Sequence, residues 1–208
     1  HLAGIFRARG GQIDLVEVLA VGQGAEGAEV QTSDGPISAE QVVIAAGAWS
    51  HRLAHTIGDA VPLETERGYN TTLPPGAFDL RTHLTFGGHG FVVSRINGGV
   101  RVGGAVELGG LNLPPNYKRS EMLLNKAKRF MPGLKVENGK QWMGFRPSLP
   151  DSLPVIGPSR HLPNKVFYAF GHGHLGLTQA AGTAELIAAT MSGDAPALPM
   201  PAYSVTRF

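Results

Sequence analysis

Val166 to Phe170 is a β-branched and aromatic run with the character of a buried strand. From Thr178 onward, Ala180, Ala184, Ile187, Ala188 and Met191 recur at i, i+4, i+7, i+8 and i+11, one face of a helix. Between strand and helix, Gly171, Gly173 and Gly176 match G-x-G-x-x-G in the context that gives the pattern physical meaning. Glycines let the backbone approach a flat or anionic ligand, and free N–H groups at a helix start present partial positive charge to it. A ligand-facing helix N-terminus is expected. Only a proline-rich tail follows, so no second parallel strand completes a dinucleotide-binding βαβ unit from this stretch.

The same logic recurs earlier. Gln41 to Gly58 reads as a buried strand, the small residues Ala45, Ala46, Gly47 and Ala48, then a short helix; two such junctions suggest one ligand between them. Upstream, Leu2 to Gly11 reads as the end of a helix running into a turn. Gln12 to Val21, Ala28 to Thr32 and Ile37 to Ile44 read as strands. Gly22 to Gly27 also spells G-x-G-x-x-G, but the eight residues after it alternate and end in Asp-Gly-Pro, leaving no room for a helix. That stretch is expected to be a hairpin loop.

Between these parts the character changes. Asn70 to Leu73, His83 to Phe86, Phe91 to Ile96 and Val100 to Val106 are short β-rich segments parted by turn signals, which predicts an antiparallel sheet. Ser120 is a plausible N-cap for a helix carrying Leu123, Ala127, Phe130 and Met131, which Pro132 ends. A sheet with one covering helix makes a cap over a substrate.

Composition narrows the class without naming a chemistry. The chain has 208 residues, 42% of them hydrophobic and 16% charged, so it can bury a substantial core. Net charge is only +2, and no basic run supports a nucleic-acid partner. Absence of Cys removes disulfides, thiolate catalysis and zinc-thiolate sites. The longest apolar run, Val42 to Trp49, is far short of the ~20 residues a membrane-spanning helix needs. His51 and His55 share one helical face, but without the metalloprotease Glu or a third ligand they read as solvated helix residues rather than a metal site. The start at His1 suggests that the N-terminal part of a larger protein precedes it.

Arg146 stands out in Gln141 to Gly157. Pro147 pushes it to an extended conformation, and its neighbours Trp142, Met143 and Phe145 are apolar. An Arg in apolar surroundings needs an anion, and its planar fork suits a carboxylate; an internal pair with Asp151 or a solvated loop position is the alternative.

Six stretches then occur in order at fitting intervals: VVIAAGAWS (42–50), PLETERGY (62–69), RVGGAVELGG (101–110), GFRPSLPDSLPVIG (144–157), GHGHLGLTQAAGTAELIA (171–188) and a closing TRF (206–208). Together they resemble the C-terminal half of the FAD-dependent D-amino-acid oxidase and dehydrogenase superfamily, and most nearly the bacterial D-amino-acid dehydrogenase small-subunit-like proteins. The resemblance implies FAD as cofactor. It places Ala46, Gly47 and Trp49 beside it, and Gly171, His172, Gly173, Gly176, Leu177 and Thr178 along the flavin edge at N1 and C2=O. It puts Arg146 on the substrate α-carboxylate. Tyr69, taken with Arg146 as a catalytic-site residue, and Phe91 are expected to line the pocket by position; Glu107 is expected to be structural. When hydride passes from the substrate Cα to flavin N5, charge develops at N1 and C2=O, where a helix N-terminus is a suitable partner. No general base is needed if the amine is already neutral, so His172 and His174 are equally well read as turn residues.

The expected fold is α+β: a Rossmann-like FAD-binding portion over 1–60 and 141–208, lacking its N-terminal βαβ unit, and an antiparallel substrate domain over 61–140. The expected reaction is oxidation of a D-amino acid or related amine to an imine that hydrolyses to a 2-oxo acid. Alternatives are a non-catalytic remnant or partner-binding module unable to hold FAD, and a sarcosine- or glycine-oxidase-like activity on N-alkyl glycines. Expected partners are the amine substrate, an electron acceptor of unknown kind and the N-terminal FAD-binding half, with the cytoplasm or the inner-membrane surface as location.

Overall fold

The computed structural model describes residues 1–208, which form a mixed α+β structure with three sheets. After a short helix α1 (Leu2–Ala8), strands β1 (Val18–Gln23), β2 (Ala28–Thr32) and β3 (Gly35–Ala39) make an antiparallel meander. Gly22 to Gly27 is its first hairpin, closed by the Gly24 N–H donating to the Gly27 carbonyl at 3.1 Å. A Cβ on Gly27 would run into the Ala39 carbonyl, so that glycine serves close backbone packing. β1 starts six residues later than Gln12, since Leu15 is fully exposed and has no apolar surface to cover.

The single strand expected over Ile37 to Ile44 is two strands in two sheets. β3 ends at Ala39, and β4 (Val42–Ile44) pairs in parallel with β11 (Val166–Phe170), Val42 opposite Val166 and Ile44 opposite Tyr168. β10 (Val155–Pro158) completes this sheet antiparallel to β11, giving the order β10-β11-β4. β4 leads through a 3-10 turn (Gly47–Trp49) into α2 (Ser50–Ile57), and β11 leads into α4 (Gly176–Ser192). Val21, Ile44, Ala54, Val155, Val166 and Phe170 pack together as one core. At its edge, the Ser159 and Tyr168 hydroxyls donate to buried Asp59 at 2.6 and 2.7 Å. Burial, and then the Asp59 carboxylate, push the Tyr168 phenol well above its ordinary range, so it stays a donor.

The third sheet is wholly antiparallel, in the order β6 (Leu84–Phe86), β7 (Phe91–Ile96), β8 (Gly99–Leu108), β5 (Glu64–Leu73) and β9 (Lys140–Ser148). Helix α3 (Lys118–Phe130) lies across one face, and Leu123 and Ala127 pack with Leu73, Phe91, Val93 and Val102. Burial of each large side chain there stabilises by about 1.5–3 kcal/mol. α3 begins at Lys118, so Ser120 sits in the first turn and its hydroxyl donates to the Tyr117 carbonyl at 2.8 Å instead of capping. β9 belongs to this sheet along its whole length, so the antiparallel part runs past residue 140 to Ser148.

Candidate active site

The strand-to-helix turn forms as its glycines require. Gly171 (φ 87°) and Gly173 (φ 53°) are in the left-handed region, and a Cβ on Gly171 would also collide with the Leu149 side chain. The N–H groups of Gly176, Leu177 and Thr178, at the start of α4, have no acceptor within the chain. Such a terminus carries partial positive charge. His172 is half-buried; its Nε2 lies 2.9 Å from the Thr183 hydroxyl, and burial lowers its pKa, which favours the neutral ring. Beside the turn, a cavity of about 570 Å³ is bounded by Ala45 and Gly47 at the end of β4, the Gly171–Gly173 turn, and Ala180, Ala184 and Ala188 of α4. Helix α4 packs through Thr183, Leu186 and Ile187, and the stripe Ala180, Ala184, Ile187, Ala188 and Met191 borders the cavity, its alanines exposed.

A single backbone bond ties this turn to the antiparallel sheet: the Gly173 N–H donates to the Pro147 carbonyl at 2.8 Å. Pro147 follows Arg146, which lies opposite Glu66 in the β5–β9 ladder. The Arg146 guanidinium folds over Gly68, where a Cβ would stand 2.6 Å from Nη1. Arg146 makes none of the chain's close ion pairs, and its buried Nη1 has no hydrogen-bond partner. Burial lowers its pKa and the Glu66 charge partly restores it. Asp151 is not its counter-ion: Arg207 of the closing TRF grips that carboxylate at 2.7 and 3.3 Å and holds it below the ordinary range.

The alternation of β5 sorts the remaining candidates. Glu66, Gly68 and Asn70 share the face of Arg146, while Arg67 and Tyr69 face the α3 side. Tyr69 is therefore not brought to Arg146. It is buried, its hydroxyl donates to Glu107 and accepts from the Asn116 N–H at 3.0 Å. That bond, then Arg119 and Arg67, hold the Glu107 carboxylate below its usual range, a structural role for Glu107. Phe91 likewise lies in the core, stacked on Phe86 with centroids 4.4 Å apart, and does not border the cavity at the Gly171 turn. Of the expected cofactor residues, Gly47, Gly171, His172, Gly173 and Gly176 border the cavity. Ala46 opens the 3-10 turn, its carbonyl accepting from the Trp49 N–H at 3.1 Å. Trp49 packs edge-on against Phe145, centroids 5.3 Å apart. The Leu177 side chain is 94% exposed, and Thr178 points to a separate groove with Gln179 and Leu153. Their backbone N–H groups are among the unpaired ones at the start of α4. His51 Nδ1 bonds the Ala48 carbonyl at 3.0 Å, and His55 is exposed. The glycine floor of Gly68 and Gly144 was not singled out by sequence reasoning; the Arg-Gly-Tyr-Asn stretch carried a signal only once β5 had a partner strand.

An unpaired helix start, left-handed glycines, an apolar cavity and an unpartnered guanidinium thus lie on adjoining elements. Residues 1–190 match the family described as FAD dependent oxidoreductase, and the chain belongs to that family, whose cofactor is FAD. It is 40% identical over 186 residues to a D-amino-acid oxidase of Bradyrhizobium diazoefficiens, covering 86% of this chain and 43% of that protein. A D-amino acid dehydrogenase of Paramagnetospirillum magneticum is 33% identical over 217 residues, covering 100% of this chain and 50% of the relative. Among solved structures, glycine oxidase from Geobacillus kaustophilus superposes with a TM-score of 0.81 at 25% identity, covering 93% of this chain and 52% of the other. The chain thus spans about half the length of the curated relatives it matches. No helix is long and apolar enough to cross a membrane.

Proposed function

We propose that the whole protein oxidises the Cα–N bond of a D-amino acid or a related amine. The Cα–H electron pair leaves as hydride, the amine nitrogen loses a proton, and water converts the imine to a 2-oxo acid and ammonia. Bound FAD supplies the two-electron acceptor. The observation that carries this reading is the buried Arg146 Nη1 without a partner, beside a glycine turn fit for the flavin edge. Arg146 holds the substrate carboxylate with a charge-assisted bond, and Pro147 and the Gly173 N–H fix its distance from the turn. The free N–H groups at the start of α4 face the place where negative charge develops. His172, neutral and bonded to Thr183, is held in place rather than poised to take a proton.

Steady-state kinetics on the whole FAD-loaded protein test the reading, with a panel of D-alanine, D-leucine, D-phenylalanine, D-proline and N-methylglycine. Arg146→Leu is expected to raise KM about 30-fold or more, equivalent to roughly 2 to 5 kcal/mol for a desolvated charge pair. An unchanged KM overturns the assignment. The likeness to glycine oxidase favours a second reading, oxidation of N-alkyl glycines; turnover of N-methylglycine above every D-amino acid of the panel selects it. No flavin absorbance and no amine-dependent dye reduction would instead select a non-catalytic, partner-binding protein.

A further inference from the structure

We propose that Asn70 is a second substrate-binding residue, its side-chain carbonyl accepting a hydrogen bond from the α-nitrogen of the molecule whose carboxylate Arg146 holds. The proposal rests on the amine-oxidising reading above. Asn70 lies in β5 with 8% of its surface exposed, and its Oδ1 is buried without a hydrogen-bond partner. A buried acceptor left unpaired is costly and rare, so one that persists calls for a partner. Four buried side-chain polar atoms of the chain are in this condition, and two of them, Asn70 Oδ1 and Arg146 Nη1, share one sheet face. The others, Ser50 Oγ and Thr71 Oγ1, belong to α2 and to the opposite face of β5.

The two atoms are complementary, one a cationic donor and one a neutral acceptor. Residues two apart on a strand stand about 7 Å from each other on the same face. Asn70 is two residues from Gly68, over which the Arg146 guanidinium lies. A molecule with a carboxylate and an N–H on adjacent atoms, making a hydrogen bond of about 2.9 Å at each end, spans that gap. The cross-strand neighbours on this face are Gly103 and Val106 on β8 and Trp142 and Gly144 on β9, two of the four without a side chain. The β8 strand bulges here, with Gly104 at φ 143° between the partners of Tyr69 and Asn70, which is what sets Gly103 beside Asn70. Trp142, directly opposite Asn70, lies over Gly144 and walls the remaining side.

The test uses the whole FAD-loaded protein, with propionate as a carboxylate that lacks an α-N–H and the fastest D-amino acid of the panel as substrate. Asn70→Leu keeps the branched side-chain shape and removes the acceptor, and Asn70→Ala removes it without bulk. Both are expected to lower kcat/KM on the order of ten-fold, while inhibition by propionate changes less than about two-fold. Arg146→Leu is expected to weaken substrate and propionate together. Unchanged kcat/KM in both Asn70 variants, or propionate weakened as much as substrate, overturns the role of Asn70 while leaving that of Arg146 standing. If Arg146→Leu alters neither, the carboxylate reading itself fails and this proposal with it.

Discussion

A Cβ on Gly68 would press on the far end of the Arg146 side chain, and nothing else of Gly68 demands glycine, since its φ is not left-handed. The obstructing atoms are those of a flexible side chain, so Gly68→Ala moves the guanidinium and leaves the strand intact. KM for the amine substrate is expected to rise at least ~10-fold. The melting temperature should hold within a few degrees, because replacing Gly by Ala at a compatible position even restricts the unfolded chain. A variant that melts much earlier with KM unchanged would show that Gly68 serves the sheet and not the site. Gly171 is the contrasting case, where positive φ and the nearness of Leu149 together make any side chain a backbone problem.

Among the elements, β5 divides two tasks between its faces. Its α3-facing side carries Arg67, fully buried, whose guanidinium donates to the carbonyls of Gly110, Leu113 and Pro114 and stands 3.5 Å from Glu107. Arg67 therefore straps the connection between β8 and α3 to the sheet. Arg67→Met leaves those carbonyls without their donor and is expected to cost about 2 to 4 kcal/mol in a denaturant melt. It should also open a protease site between Gly109 and Tyr117; an uncut loop at wild-type stability would refute the strap. This division was half legible in the sequence. The strand, the glycine turn, the helix after it and the importance of Arg146 follow from local pattern and spacing. The faces of β5 do not, because an alternating strand states that two sides exist without saying which is the site until β9 sets the register. Tyr69 was accordingly expected beside Arg146 and lies behind it. The stripe of α4 was legible as one helical face, but spacing alone does not say that its alanines border an open cavity instead of a packed core.

For the whole molecule, the β10-β11-β4 sheet ends at β4, which pairs in parallel with β11 and has no strand on its other edge. Parallel strands are ordinarily covered and paired on both sides. Val43 is 38% exposed in that strand, and Ala180, Ala184 and Ala188 of α4 stand uncovered along the same cavity. Gly47 (φ 54°), at the turn into α2, borders the same cavity, yet the full G-x-G-x-x-G spacing at a helix start occurs once, at Gly171 to Gly176, since Gly22 to Gly27 is a hairpin. A polypeptide of these 208 residues is therefore expected to bind FAD weakly and to bind an apolar fluorescent dye strongly along the β4 and α4 surface. Mixing it with a polypeptide that carries the other half of a relative's length should quench the dye signal and tighten FAD binding together. A fluorescence titration in which the 208 residues alone take up FAD tightly at one equivalent would sink the expectation. It would mean that the alanine face and the glycine turn suffice for the cofactor, and that β4 needs no neighbour to hold them in place.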